Sequence, residues 1–217
     1  MARLFWVIMA LVFSGAAQAA TVVPEYYVME NGSNSRTVSY VDDTYAVNGV
    51  VDPNASIPGS RLLFGSGALT DGHIATKNVH FDRVADGLDS YVGWYQRTPD
   101  ITFVFDQAYD FTSVTFYFDA GTTFVPGSGA PEAVAVRGVG EYEVNFDPRT
   151  QRGPFAFTID LTGISESALN FDITTSRDWV FLSEVTFEAD VPAVPLPAGG
   201  LLVLSGLGAL MLYRRRR

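Results

Sequence analysis

The body of this 217-residue chain is predicted to be all-β, an antiparallel sandwich, on three observations. Short runs alternate apolar with polar residues, Gly, Pro, Asn and Asp punctuate them, and no stretch before residue 194 carries an apolar stripe at helical spacing. The alternation is clearest where Ile101, Phe103 and Phe105 share one face, where Val114, Phe116 and Phe118 repeat the pattern, and where Phe155, Phe157, Ile159 and Leu161 extend it. A side-chain period of two puts such residues on one face of a half-buried strand. Many short strands with turn signals between them point to two packed sheets.

Taken in order, residues 22–29 and 37–41 read as strands, with Asn31-Gly32 and Asn48-Gly49 as turn dipeptides. Residues 51–60, with Pro53 and Pro58, read as a loop. The runs 101–105 and 114–118 are expected as two strands joined by a turn at 108–112. Strands at 133–136, 142–146, 155–161, 169–173 and 179–187 follow, with a Gly- and Pro-rich loop at 121–131. Neither loop is long enough to divide the body, so one domain is expected at 20–189.

Both ends differ from this body. Arg3 precedes an apolar run over residues 4–13, and Ala17-Gln18-Ala19 is a small-residue cleavage pattern, so residues 1–19 read as a signal peptide. The apolar run is too short for a first membrane span and ends without a stop-transfer cluster. At the other end, residues 190–198 form a linker with two prolines that cannot sit inside a helix. Residues 199–213 are apolar or small on every face and Arg214 to Arg217 close the chain. Fifteen residues rise about 22 Å as a helix, a minimal membrane span. Four arginines favour a cytoplasmic C-terminus and an outward-facing body. Export through the Sec translocon and trimming by signal peptidase are the corresponding expectations.

Charge narrows the partners. Five of the 14 Lys and Arg residues sit at the two ends, where there is no acid, which leaves nine against 24 and a balance of −15 for the body. Such a surface is wrong for DNA, RNA or anionic lipid, whose binding depends on cationic groups; it tolerates divalent cations and neutral glycans. There is no cysteine, so an exported body relies on its core or on a metal.

The string Val194-Pro195-Leu196-Pro197-Ala198, followed by the apolar stretch and the arginine cluster, resembles the VPLPA variant of the PEP-CTERM sorting tails. That resemblance implies a bacterial envelope or exported protein whose tail is recognised by an exosortase-type enzyme. A permanent single-pass anchor is the other reading of the same tail.

A second resemblance spans residues 60–188. Leu69-Thr70-Asp71-Gly72 is followed by the aromatic Tyr91-Val92-Gly93-Trp94-Tyr95, the strands at 101–105 and 114–118, Pro131-Glu132-Ala133-Val134, the run from Phe157 to Gly163, and the closing segment from Trp179 to Phe187. In this order the segments resemble the galactose-binding-like jelly roll of discoidin-type domains and carbohydrate-binding modules. That fold implies a structural calcium between the loop aspartate and the acid of the closing strand, here Asp71 and Glu184. Calcium takes six to eight oxygens, and Asp-Gly supplies a carboxylate beside a backbone free to turn its carbonyls inward. His73 stands where relatives carry another oxygen ligand. The bland alternative makes Asp71 a turn cap and leaves Glu184 on a solvated face.

A glycan ligand needs rings on which sugar faces stack and planar polar groups for hydroxyls. Trp94, Tyr95 and Arg97 are the local candidates, with Tyr45 from the earlier loop; Trp179 reads as core. No nucleophile elbow surrounds Ser66 or Ser128, nothing orients His73 or His80 as a base, and their spacing matches no zinc signature. The expectation is a non-enzymatic, envelope-associated protein that binds extracellular polysaccharide or a surface glycan. A matrix or biofilm protein acting through protein contacts is the alternative.

Overall fold

The long alternating runs build the molecule. In a computed structural model that describes residues 18–34, 39–82, 90–121, 128–145, 152–175 and 178–191, the strands are β1 (Gln18–Val22), β2 (Tyr26–Glu30), β3 (Ala46–Val47), β4 (Val50–Val51), β5 (Arg61–Gly65), β6 (Val92–Tyr95), β7 (Asp100–Asp119), β8 (Ser128–Gly129), β9 (Ala133–Val136), β10 (Gly140–Glu143), β11 (Pro154–Thr174) and β12 (Trp179–Val191). There is no helix among the described residues, so none there is long and apolar enough to cross a membrane. The expected signal peptide up to residue 17, the sorting motif Val194 to Ala198, the apolar stretch 199–213 and the terminal arginines lie outside the described residues.

The expected turn at 108–112 and the expected break between 161 and 169 are absent. The runs 101–105 and 114–118 belong to one 20-residue strand, and 155–161 and 169–173 belong to one of 21 residues. The two are paired antiparallel along their length, from Pro154 opposite Asp119 to Asp172 opposite Asp100. The polar stretch from Asp106 to Asp110 is not a loop; it is where the paired ribbon bends, its pairing slipping between Asp160 and Ile164 and again between Glu166 and Ala168. An extra residue on one side of a ladder bends it, and Gly163, at φ 91°, takes a conformation that other residues rarely adopt. The inward set on β7 also changes parity between Phe111 and Val114, both buried, and the pairing with β12 slips at the same place.

The bend makes two layers out of one hydrogen-bonded sheet. The first half of β7 pairs with β2, which pairs with β5; the far half of β11 pairs with β9, and β9 with β10. The second half of β7 pairs with β12, which is flanked by β1 and by β6. Register puts Phe187 beside Val114, yet its ring lies 5.0 Å from that of Phe103 and 5.1 Å from that of Phe105. Phe116 likewise lies 5.1 Å from Phe171. The halves therefore face one another across a core of Phe rings, as in a sandwich. A compact unit covers Ala19–Asp190. The rest, Met1–Gln18 with Val191–Arg217, lies outside the described residues apart from Gln18 and Val191. β12 carries Asp190 and Val191, two residues assigned above to the linker.

Candidate functional site

The outward faces of the first layer form a transverse row. On β7, Ile101 and Phe103 are buried, so Asp100 and Thr102 project outward. Register places Val28 opposite Thr102, Thr102 opposite Asn170, and Glu30 opposite Arg61, while the Arg137 backbone N–H donates to the Asn170 carbonyl at 3.0 Å. Together with Trp94, Arg97, Thr98 and Pro99 these residues line a depression of about 340 Å³. Arg97 also lines a neighbouring depression of about 260 Å³ with Ser33, Asn34, Pro58, Gly59 and Tyr95. Arg137 and Asn170 also line a third, of about 550 Å³, with Gly138, Ile164 and Leu169 among others.

Polar chemistry dominates this groove. Arg97 pairs with Glu30, and Arg137 lies 3.2 Å from Asp100 and 3.6 Å from Asp172. Arg61 has no ion-pair partner among the described residues. The Asn170 side-chain amide donates to Thr102 Oγ1 at 2.7 Å and to Asp100 Oδ1 at 2.5 Å, whereas its side-chain oxygen Oδ1 is buried without a partner. An acceptor in that state lacks the donor that burial normally requires.

The loop under Arg97 is held by buried Asn31, whose amide donates to the carbonyls of Asn54, Ala55 and Ile57 at 3.3, 2.8 and 3.3 Å. Its carbonyl accepts from Gly32 and Asp42 at 2.8 and 2.7 Å. Gly59 in that loop has φ 67°, and a Cβ there would stand 3.2 Å from Arg97 Nη1 and 3.3 Å from Glu30 Oε1.

The aromatic candidates separate. Trp94 is 1% exposed and its indole N–H donates to the Glu30 carbonyl at 2.9 Å; it backs the groove but offers no open ring face. Tyr45 is fully buried, its hydroxyl donating to the Tyr27 carbonyl and accepting from Gly65 N at 2.8 Å. Neither can stack on a ligand. Tyr95 is 41% exposed, and its ring lies 5.2 Å from that of Trp179, which is half-buried and packs on the core through Phe181 and Tyr40. Arg61, Arg137 and Asn170 were not singled out from sequence. Their outward positions on alternating strands were the available signal.

Asp71 and Glu184 do meet, though away from the groove. The backbone N–H of Gly72 donates to Glu184 Oε2 at 3.2 Å, and the Val185 N–H donates to the Leu69 carbonyl at 2.9 Å, pinning the loop to β12. Glu184 is buried at 3% exposure. Burial first, then the charge of Asp71, push its pKa up to about 8 against a partial offset from Gly72. Beneath the loop, buried Asp42 accepts from the Tyr27 hydroxyl, from Thr44 at 2.9 Å and from Ala68 N at 3.1 Å. His73 is turned to Asp82, 3.1 Å away, and Asp71 Oδ1 accepts from His73 N at 2.7 Å. No group of three or more His, Cys, Asp or Glu side chains poised for a metal occurs among the described residues. The pair nevertheless fits a hard cation: the two carboxylates interact with one another, the preceding residue, Thr70, has an Oγ1 buried without a hydrogen-bond partner, and such a cation takes carbonyls and hydroxyls as well.

No family model matches the chain, and no curated protein matches it. Among solved structures, CBM32-3 from a family 31 glycoside hydrolase from Clostridium perfringens is similar at 15% identity and a TM-score of 0.31, over 46% of this chain and 75% of that chain.

Proposed function

We propose that the chain is a non-enzymatic glycan-binding protein of the cell envelope, exported by its N-terminal segment and held or sorted by its C-terminal tail. Its body is a galactose-binding-like jelly roll. The observation that carries the binding reading is the groove across the first layer, where Arg61, Arg97, Arg137, Glu30, Asp100 and Asn170 supply planar donors and acceptors beside the exposed Tyr95 ring. Sugar hydroxyls are satisfied by such groups and sugar faces by such rings. Asp71 and Glu184 hold a structural calcium that takes the place of the proton Glu184 otherwise keeps and secures the loop against β12. The test is a glycan array with the full-length chain: ligands are expected whose binding is lost in Tyr95→Ala and in Asn170→Ala while the melting temperature is unchanged. An array without a single bound carbohydrate would sink the reading.

A second reading, a matrix protein acting through protein contacts, is favoured by Leu63 and Phe64. They stand exposed on β5, at 38% and 62%, and that strand pairs only with β2 among the named strands. Concentration-dependent self-association that Phe64→Ser abolishes, without carbohydrate binding, would decide for it.

A further inference from the structure

The groove has features that narrow its ligand. Although the chain carries 24 acids against 14 bases, three of the five described cationic side chains line this one depression, beside the carboxylates of Glu30 and Asp100, while Lys77 and Arg152 lie elsewhere; the cationic groups that an anionic ligand needs are gathered here. The row from Arg61 on β5 through β2, β7 and β11 to Arg137 beyond β9 crosses four strand intervals, about 19 Å at about 4.8 Å each. Arg97 is shared with one neighbouring depression, and Arg137 and Asn170 with another. It is a trough, not a socket, and suits the inside of a chain better than a terminal sugar.

The arginines are held by exchangeable partners. Arg97 and Glu30 are 52% and 50% exposed, Arg137 and Asp100 61% and 54%, and ion pairs in that setting are weak. A guanidinium matches a carboxylate in a planar two-point contact that a lone hydroxyl does not provide. When a ligand carboxylate takes the guanidinium, Glu30 and Asp100 are freed to accept sugar hydroxyls.

Building on the glycan reading, we infer that the trough takes an internal stretch of a linear, carboxylate-bearing polysaccharide, a polyuronate, laid across the strands with its carboxylates on Arg97 and Arg137. Affinity electrophoresis of the full-length chain in gels containing polygalacturonate, or the same polymer with its carboxyls reduced to alcohols, tests this. The acidic polymer is expected to bind at least tenfold more tightly, about 1.4 kcal/mol. Arg97→Ala and Arg137→Ala are each expected to lose about that factor on the acidic polymer and less than about twofold on the reduced one, with melting temperature unchanged. Equal retardation by the two polymers, or binding of the free monouronate as tight as that of the polymer, would overturn the inference while leaving a glycan site in place. Absence of binding to either polymer and to every neutral glycan would take both down.

Discussion

Replacing Glu184 by glutamine isolates the charge of the buried pair. Glu184 in the folded protein keeps its proton up to about pH 8, against 4.5 for an ordinary glutamate, because of burial and the neighbouring Asp71 charge. A carboxyl whose pKa is raised by folding contributes fully below its unfolded value, and that contribution is lost as the pH climbs through the folded value. At about 1.4 kcal/mol per pH unit, the interval from 4.5 to 7 costs the native protein about 3 kcal/mol. Glutamine reproduces the shape of the neutral acid and is spared this loss. With each kcal/mol worth about 2–4 °C in a domain of this size, melts recorded in a chelator should coincide at pH 4.5. At pH 7 the Glu184→Gln variant should melt about 6–12 °C higher. Calcium at a hundred times its dissociation constant should return about 2.7 kcal/mol to the native protein and nothing to the variant. Parallel melting curves for the two proteins between pH 4.5 and 7 would refute the buried-pair reasoning, and a native protein indifferent to calcium would remove the cation.

Other substitutions separate scaffold from site. Trp94→Ala should cost about 3–5 kcal/mol by opening a cavity under the groove, whereas Tyr95→Ala should stay within about 1 kcal/mol of the native protein and lose glycan affinity; urea titrations beside the array distinguish them. Gly59→Ala forces a methyl to positive φ at 3.2 Å from Arg97, so it should cost about 1 kcal/mol and displace the guanidinium, read as weaker binding by calorimetry. Asp119→Ala strips the acceptor from the Asn78 amide, Val79 N–H and Gly121 N–H, now 2.6, 2.7 and 2.9 Å away. A loss of about 2–4 kcal/mol is expected, with faster amide exchange over residues 78–82.

Which side chains turn inward was legible wherever alternation was strict. Ile101, Phe103, Phe105, Val114, Phe116, Phe118, Ile159 and Leu161 are buried as read, while Phe155 and Phe157, at the start of the last run, are only half-buried against the core. The number of strands was not legible, because a polar bend in a continuous ribbon has the same composition as a surface turn; only the pairing partner across the bend reveals that the ladder resumes at once on either side of it, with Tyr109 opposite Glu166 and Val104 opposite Ala168. The nearness of Asp71 and Glu184 came from resemblance, since nothing local links residues so far apart in the chain. Trp94 and Tyr45 were misplaced because aromatics beside loops look alike whether they face out or in. What decides is whether the polar tip finds a backbone carbonyl, as both do here. The groove escaped notice for a related reason: Arg61, Arg137 and Asn170 lie far apart in sequence and meet only through the register of five strands.

The doubled-over ribbon also governs how the molecule comes apart. Because β7 and β11 each run through both layers, no plane separates the halves without breaking the same two ladders, and neither half owns a complete set of strands to persist alone. Heating should therefore dissolve the body in a single all-or-none step. Loosening at the corner near Gly163 would be felt as readily beneath the arginine trough as beside Glu184.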